Sequence, residues 1–401
     1  MKMLHQASLV WGGTISAAAC GLGIQILLAR NFEPDMYGQI ANASALAILV
    51  ATFAVQGVGD VLMRHNGQTS GRAAFLACAT LCAIGLIAAF GWVAISKFER
   101  HEPAMLLAFI PFMLIQAVVF GGMISFQLQN HVMGIASWPF MQQGLRLIST
   151  GIMVLISAQA ILIPITWSIV LIPSAVWAVI LLKRTLQPGD QPRILISALP
   201  FSLTRMLEFA ELQFPIVLAM SMFGPAKAGL CAAAMTCVQG LLLLPIAVFQ
   251  RLLRPRLHQW ANEDPKTLRR NTIAGSACMF LAGTAFSAII WPFAEPLLKL
   301  IFGSGFEAAG ELLRVLLIAV PIWFAAISMQ AALVSGRNAL ARLPLQGIGF
   351  LLLVSIVFFT ASDSGLTSIG WAVLSSQSFL LAASFVLLML PAQANQPSTR
   401  I

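Results

Sequence analysis

Three ionisable side chains, Arg205, Glu208 and Glu211, sit together in "PFSLTRMLEFAELQF" (Pro200 to Phe214), a stretch otherwise apolar enough to cross a membrane. At about 100° per residue they fall within about 120° of one another on a helix, and Ser202, Thr204 and Gln213 widen the same side. Facing lipid would cost several kcal/mol for each charge, so this side must face protein or a wet cavity. Two readings follow. Arg205 and Glu208 form an internal salt bridge that fixes packing, or Arg205 meets an anionic substrate while an acid takes up a proton or Na+ during a cycle. In the second reading Glu208 and Glu211 are the candidate ion carriers.

A second buried cation, Arg146, occurs in "MQQGLRL" (Met141 to Leu147), with Gln142 four residues before it on the same helical face. Arg205 and Arg146 each lie roughly 11 or 12 residues from an expected helix start. At about 1.5 Å per residue that is on the order of 16 Å, near the middle of a core about 30 Å thick. Two guanidiniums at one depth suit a phosphate-bearing ligand, because each offers planar, paired donors to phosphate oxygens. The alternative is that Arg146 satisfies carbonyls at a helix break after Pro139. Arg314 has Glu307 and Glu311 at helical spacings, and Asp60 has Arg64 at i+4, so both read as local ion pairs.

The elements that must position these residues are membrane helices. Of 401 residues 59% are hydrophobic and 9% charged, and the mean hydropathy is +0.89; a soluble chain carries roughly a quarter charged residues. Apolar runs of about 20 residues follow one another almost end to end. The expected spans are 7–29, 37–62, 73–96, 104–126, 134–157, 160–182, 194–222, 226–249, 272–293, 308–334, 340–360 and 366–390. The fold class is therefore all-α integral membrane, with about twelve transmembrane helices.

An even number of spans puts both termini on one side. Of the 23 Lys and Arg, 15 fall on the side of the termini, 5 on the other, and Arg146, Arg205 and Arg314 lie within helices. Such a bias in short loops marks the cytoplasmic side. It also accounts for the net charge of +9 through membrane lipids, by attraction to anionic headgroups, with no nucleic-acid partner required.

The loops exclude other classes. The longest, Gln250 to Asn271, is too short for a catalytic domain, the five histidines are scattered, and no HExxH, CxxC or Walker A pattern occurs. Cys78 and Cys82 share a face at i, i+4, a spacing that suits small apolar packing. No enzyme, metal or cofactor is expected.

The chain repeats. "NFEPDMYGQIANA" (Asn31 to Ala43) and "MFGPAKAGLCAAA" (Met222 to Ala234) align at an offset of 191, pairing Pro34 with Pro225 and Gly38 with Gly229. Both join the first and second helices of a six-helix half. Two six-helix bundles, residues 1–190 and 191–401, would then be related by a pseudo-two-fold axis along the membrane normal, with a cavity between them.

These segments resemble a known family. "LLARNFEPDMYGQIANA" is similar to the first-to-second helix junction of Wzx-type oligosaccharide flippases of the multidrug/oligosaccharidyl-lipid/polysaccharide exporter superfamily, and "ALPFSLT" (Ala198 to Thr204) to their seventh-helix start. "LLLPIAVFQRLLRPRL", "LLKLIFGSGFEAAGELLRVL" (Leu297 to Leu316) and "ALVSGRN" (Ala332 to Asn338) fit the second half of the same pattern. The resemblance implies a transporter in a bacterial inner membrane that moves a polyprenyl-diphosphate-linked glycan from the cytoplasmic to the periplasmic leaflet; glycan polymerase machinery is a candidate partner whose association the sequence leaves open. A cationic cavity would correspond to Arg146, Arg205 and Gln142. Tyr37 is the only tyrosine, so sugar stacking would fall to Trp or Phe. A drug or cation exporter of the same superfamily is the competing transporter, and a polytopic glycosyltransferase or polymerase the competing enzyme.

Overall fold

The computed structural model describes residues 2–65, 67–68, 70–95, 103–157, 159–186, 194–246, 248–249, 253, 257, 260, 264–334 and 342–389. Lys97, Arg100, Arg193, Arg251, Arg254, Arg256, Arg337 and Arg400, which contribute to the charge count above, lie outside the described residues, as does the end of the "ALVSGRN" segment.

Among the described residues the fold is all helical, with twelve long helices. They are α1 (Lys2–Asn31), α2 (Pro34–Arg64), α3 (Gly71–Ile95), α4 (Pro103–Leu128), α5 (Val132–Leu155), α6 (Leu162–Thr185), α7 (Ile194–Phe223), α8 (Pro225–Pro245), α9 (Pro265–Ile290), α10 (Gly310–Val334), α11 (Arg342–Ser364) and α12 (Thr367–Met389). A short helix, Ala294–Phe302, and a 3-10 turn, Ser304–Ala309, join α9 to α10. α9 starts several residues earlier than its apolar run because Asp264 accepts from the Lys266 and Thr267 amides and Pro265 occupies the first turn, a strong start signal.

Eleven of the twelve are long and apolar enough to cross a membrane. The other, α5, fits its place by turning its polarity inward. It buries Gln142, Arg146, Ser149 and Thr150 while exposing Met133, Phe140, Ile148, Ile152 and Leu155. That is the reverse of a water-soluble helix, and it is stable only where the surroundings are hydrocarbon. The chain is a multi-pass membrane protein.

Pairings recur six helices later. In the first half α1 packs on α5, α2 on α4, α4 on α6 and α5 on α6; in the second α7 packs on α11, α8 on α10, α10 on α12 and α11 on α12. The axis relating the halves passes between α2 and α8. A Cβ on Gly38 would meet the carbonyl of Pro225 and the amide of Gly229, and one on Gly229 would meet the carbonyl of Pro34 and the amide of Gly38. Only glycine allows so close a crossing. The repeat partners therefore touch each other reciprocally, as an isologous contact requires. The seams on either side of this crossing differ, since α2 lies along α7 while α1 meets α8 only marginally.

The two ends of the bundle are distinguishable. One, the basic end, is where α2 and α6 finish and α7, α9 and α11 begin, and it carries Arg64, Arg72, Lys183, Arg184, Lys266, Arg269 and Arg270. The far end is tied across the halves. There Arg30 donates to the carbonyls of Ile301 (3.0 Å) and Leu300 at the end of the short helix, a placement that also favours a cation electrostatically. Beside it the Tyr37 ring stands edge-on to Phe306 at 5.4 Å, both rings fully buried.

Candidate functional site

Arg205 stands on the buried seam between the halves. Its position is set by α7, which approaches α2 so closely that a Cβ on Gly57 would meet the Ser202 amide and hydroxyl and the Ala198 carbonyl. Side chains lean toward the N-terminus of their own helix, and α2 and α7 run in opposite directions, so Arg205 and Asp60 lean toward each other. Arg205 Nε donates to Asp60 Oδ2 at 3.1 Å and Nη2 approaches Oδ1 at 3.4 Å. Its third nitrogen, Nη1, donates to Glu208 Oε2 at 3.2 Å, one turn along α7. The other Glu208 oxygen, Oε1, pairs with Nη2 of Arg342, the first residue of α11.

Four charges of alternating sign thus run from α2 through α7 to α11. Glu208 is held between two guanidiniums, one on each oxygen. Arg205 keeps 30% of its side-chain surface exposed and Asp60 and Glu208 19% each, so a ligand can reach them, whereas Arg342 keeps 11%. Glu211, a turn deeper along α7, is buried. Its Oε2 accepts from Gln377 Nε2 of α12 at 2.9 Å, and its Oε1 has no hydrogen-bond partner. A lone carboxylate oxygen in so dry a place is costly, and a proton or a cation would relieve it.

Arg146 occupies a separate setting inside the first half. Its guanidinium lies 4.1 Å from the Trp167 ring centre and 4.9 Å from that of Phe112, stacked between α6 and α4. The Trp167 indole is fixed by donating to Thr150 Oγ1 at 2.9 Å, and Thr150 in turn donates to the Arg146 carbonyl. Nη1 donates to Gln143 Oε1 at 3.3 Å, Nε has no partner, and among the described residues no acid pairs with Arg146. Gln142 is buried on the same face. α5 runs unbroken through Pro139, so Arg146 does not serve carbonyls freed by a helix break.

The structure therefore joins Arg205 with Glu208, places Glu211 beside them, and makes no polar contact between that group and Arg146 or Gln142. Two pairings differ from those suggested by spacing. Asp60 pairs with Arg205 instead of Arg64, whose guanidinium lies over the Phe201 ring at 4.2 Å. Arg314 pairs with Glu295 at 2.8 Å, and Glu307 with Lys299 at 2.9 Å. Local spacing loses in both cases because a partner on another element is better aimed. Arg342 is the residue that reading the loops as charge carriers hides: it sits at a helix start and is buried. A usable signal was the run "RLPLQ" (Arg342 to Gln346), which puts Arg342 and Gln346 one turn apart on a helix of otherwise apolar residues.

No family model and no curated protein matches the sequence. Solved structures do match. An inward closed conformation of the lipid II flippase MurJ superposes with a TM-score of 0.69 at 14% identity, covering 95% of this chain and 89% of that one. An inward-facing multidrug resistance MATE family transporter of the MOP superfamily gives 0.65 at 12% identity, covering 93% of each chain. The MATE multidrug transporter DinF-BH gives 0.64 at 13% identity, covering 96% of this chain and 94% of that one. The chain has the fold of these transporters over nearly its whole length.

Proposed function

We propose that the protein is a transporter that flips a polyprenyl-diphosphate-linked oligosaccharide from the cytoplasmic to the periplasmic leaflet of a bacterial inner membrane by alternating access, for O-antigen, capsule or exopolysaccharide export. The observation that carries this reading is Glu208 held between Arg205 and Arg342. Two guanidiniums converging on one carboxylate form a site that a diphosphate can take over, since its oxygens offer both forks the same paired acceptors at higher charge. The basic end is cytoplasmic in this reading, with both termini there, and residues 1–190 and 191–401 are the two moving lobes.

The halves are tied at both ends, by Arg30, Tyr37 and Gly38 at the far end and by the Asp60 to Arg205 pair at the basic end, so entry of substrate from the basic end requires that pair to open. Arg146, a buried cation with no acidic partner, is the second anion contact, with Gln142 beside it, and the exposed apolar surface receives membrane lipids and the polyprenyl tail. Glycan polymerase machinery is the natural consumer of a flipped unit. The protein itself makes and breaks no covalent bond in this scheme.

The test is the amount and leaflet location of polyprenyl-diphosphate-linked glycan in cells with and without the gene. Accumulation on the cytoplasmic leaflet in its absence supports flipping, and Arg205→Ala and Arg342→Ala should reproduce it with the protein still in the membrane. Unchanged glycan in the deletion refutes the reading.

One observation favours a second reading, an ion-coupled multidrug exporter. Glu211, buried with one unpartnered oxygen, fits proton or Na+ coupling, and the likeness to multidrug transporters fits a drug as the cargo. Deletion that changes drug susceptibility and leaves lipid-linked glycan untouched would select it.

A further inference from the structure

A cavity of about 460 Å³ opens on the outer side of the second half, between α9, α10 and α12. Its floor is Ala325 and Met329 of α10, its walls Ala277 and Phe280 of α9 and Ala382 and Phe385 of α12. The small residues hollow it and the two phenylalanines, each about 40% exposed, stand at its edges. The Ser276 hydroxyl beside the floor is satisfied by the Ala325 carbonyl at 3.0 Å. Leu281 and Val386 next to it are exposed, so the groove opens onto hydrocarbon. An occupant of such a groove is an alkyl chain.

The α9 face that lines the groove does not stop with it. Lys266, Arg270, Ile273, Ala277 and Phe280 follow one another at spacings of four and three, one continuous stripe that turns from cationic to apolar within a single turn, about 5 Å. Arg269 is committed elsewhere: it donates to the carbonyls of Leu388 (3.2 Å) and Met389 (2.7 Å) and so clamps the end of α12 against α9. Lys266 and Arg270 are exposed and make no ion pair among the described residues. The nearby Asp264 is turned to the helix start, where the Thr267 hydroxyl and amide and the Lys266 amide hold its oxygens.

A cationic turn directly beneath an alkyl groove matches one kind of molecule. We propose that this groove binds an anionic glycerophospholipid of the leaflet at the basic end, with an acyl chain between Phe280 and Phe385 and the phosphate on Lys266 and Arg270. The phosphate and the first methylenes of such a lipid are separated by a glycerol, which matches the one-turn step between Arg270 and Ile273. The site is independent of the Arg205 group and does not require that the transported molecule be a lipid-linked glycan.

The full-length protein, purified in detergent and loaded with phosphatidylglycerol or phosphatidylcholine of identical chains, tests this by native mass spectrometry of retained lipid. The expected result is roughly tenfold stronger retention of phosphatidylglycerol. The double variant K266A/R270A should bring the two lipids level. Ala382→Trp, or Ala277→Trp on the opposite wall, should remove both lipids at an unchanged thermal midpoint. Equal retention of the two lipids by the unaltered protein would overturn the proposal, as would retention indifferent to the charge variants or to both tryptophans. Displacement of phosphatidylglycerol by equimolar polyprenyl phosphate would assign the groove to an isoprenoid tail and overturn it as well.

Discussion

Arg205 and Asp60, 145 residues apart in sequence, share a two-pronged ion pair that crosses from α7 to α2. It lies on the seam where Gly57 packs on Ser202, so it ties the halves together at the basic end. Glu208 and Arg342 continue the charge chain within the second half to α11, so separation of the halves at this end must open the Asp60 to Arg205 pair while the Glu208 to Arg342 pair moves with its own half.

The Asp60 to Arg205 pair is partly exposed, which places its net contribution between that of a surface pair and a dry one, about 1–2 kcal/mol. Asp60→Ala and Arg205→Ala should each lower stability by about that amount, and the double variant should lose about 1 kcal/mol less than the sum. Thermal unfolding in one detergent measures this, and strictly additive losses would show that the pair contributes nothing.

Gly38→Ala and Gly229→Ala each push a methyl group into the opposite backbone. Overpacking of this kind costs about 1–3 kcal/mol, and here the obstacle is a carbonyl that cannot rotate away. Because one small separation of α2 and α8 relieves both, the double variant should cost little more than either single one. Unfolding midpoints that fall by equal steps would mean that the two glycines do not share a contact.

Arg146→Met should leave the fold intact and raise stability slightly, since a buried charge without a counter-ion is exchanged for an apolar side chain that packs against Trp167 and Phe112. Surface glycan should nonetheless be lost. Retained glycan at normal protein level would remove Arg146 from the substrate path.

Glu211→Gln keeps an oxygen for Gln377 to bond and removes the titratable group. Transport measured in vesicles should persist but lose its dependence on an imposed H+ or Na+ gradient. A gradient response equal to that of the unaltered protein would exclude Glu211 as the ion carrier.

Much of this architecture is legible in the sequence because hydrocarbon imposes it locally. The run from Ile194 to Phe223 reads as one helix whether or not its neighbours are known, and the offset of 191 that aligns Gly38 with Gly229 already names the two residues that meet. Charge partners are another matter. Helical spacing offers Arg64 to Asp60, yet the direction of lean on antiparallel helices delivers Arg205 from the other half, and no periodicity within α2 records that. Arg342 is hidden for a similar reason: a cation near a helix start resembles a surface anchor until α7 is packed beside it. The aromatic rings that enclose Arg146 come from α4 and α6, and nothing in "MQQGLRL" announces them.

The crossing of Gly38 and Gly229 at the far end also has a mechanical meaning. Two bare backbones have no interlocking side chains to unhook, so the crossing can act as a fulcrum for rotation of the halves. From Gly38 to Asp60 along α2 is a lever arm of about 33 Å at 1.5 Å per residue. A tilt of about 10° on that arm sweeps the basic end through about 6 Å, roughly twice the length of the ion pair it must part. The glycines would scarcely move while it happened.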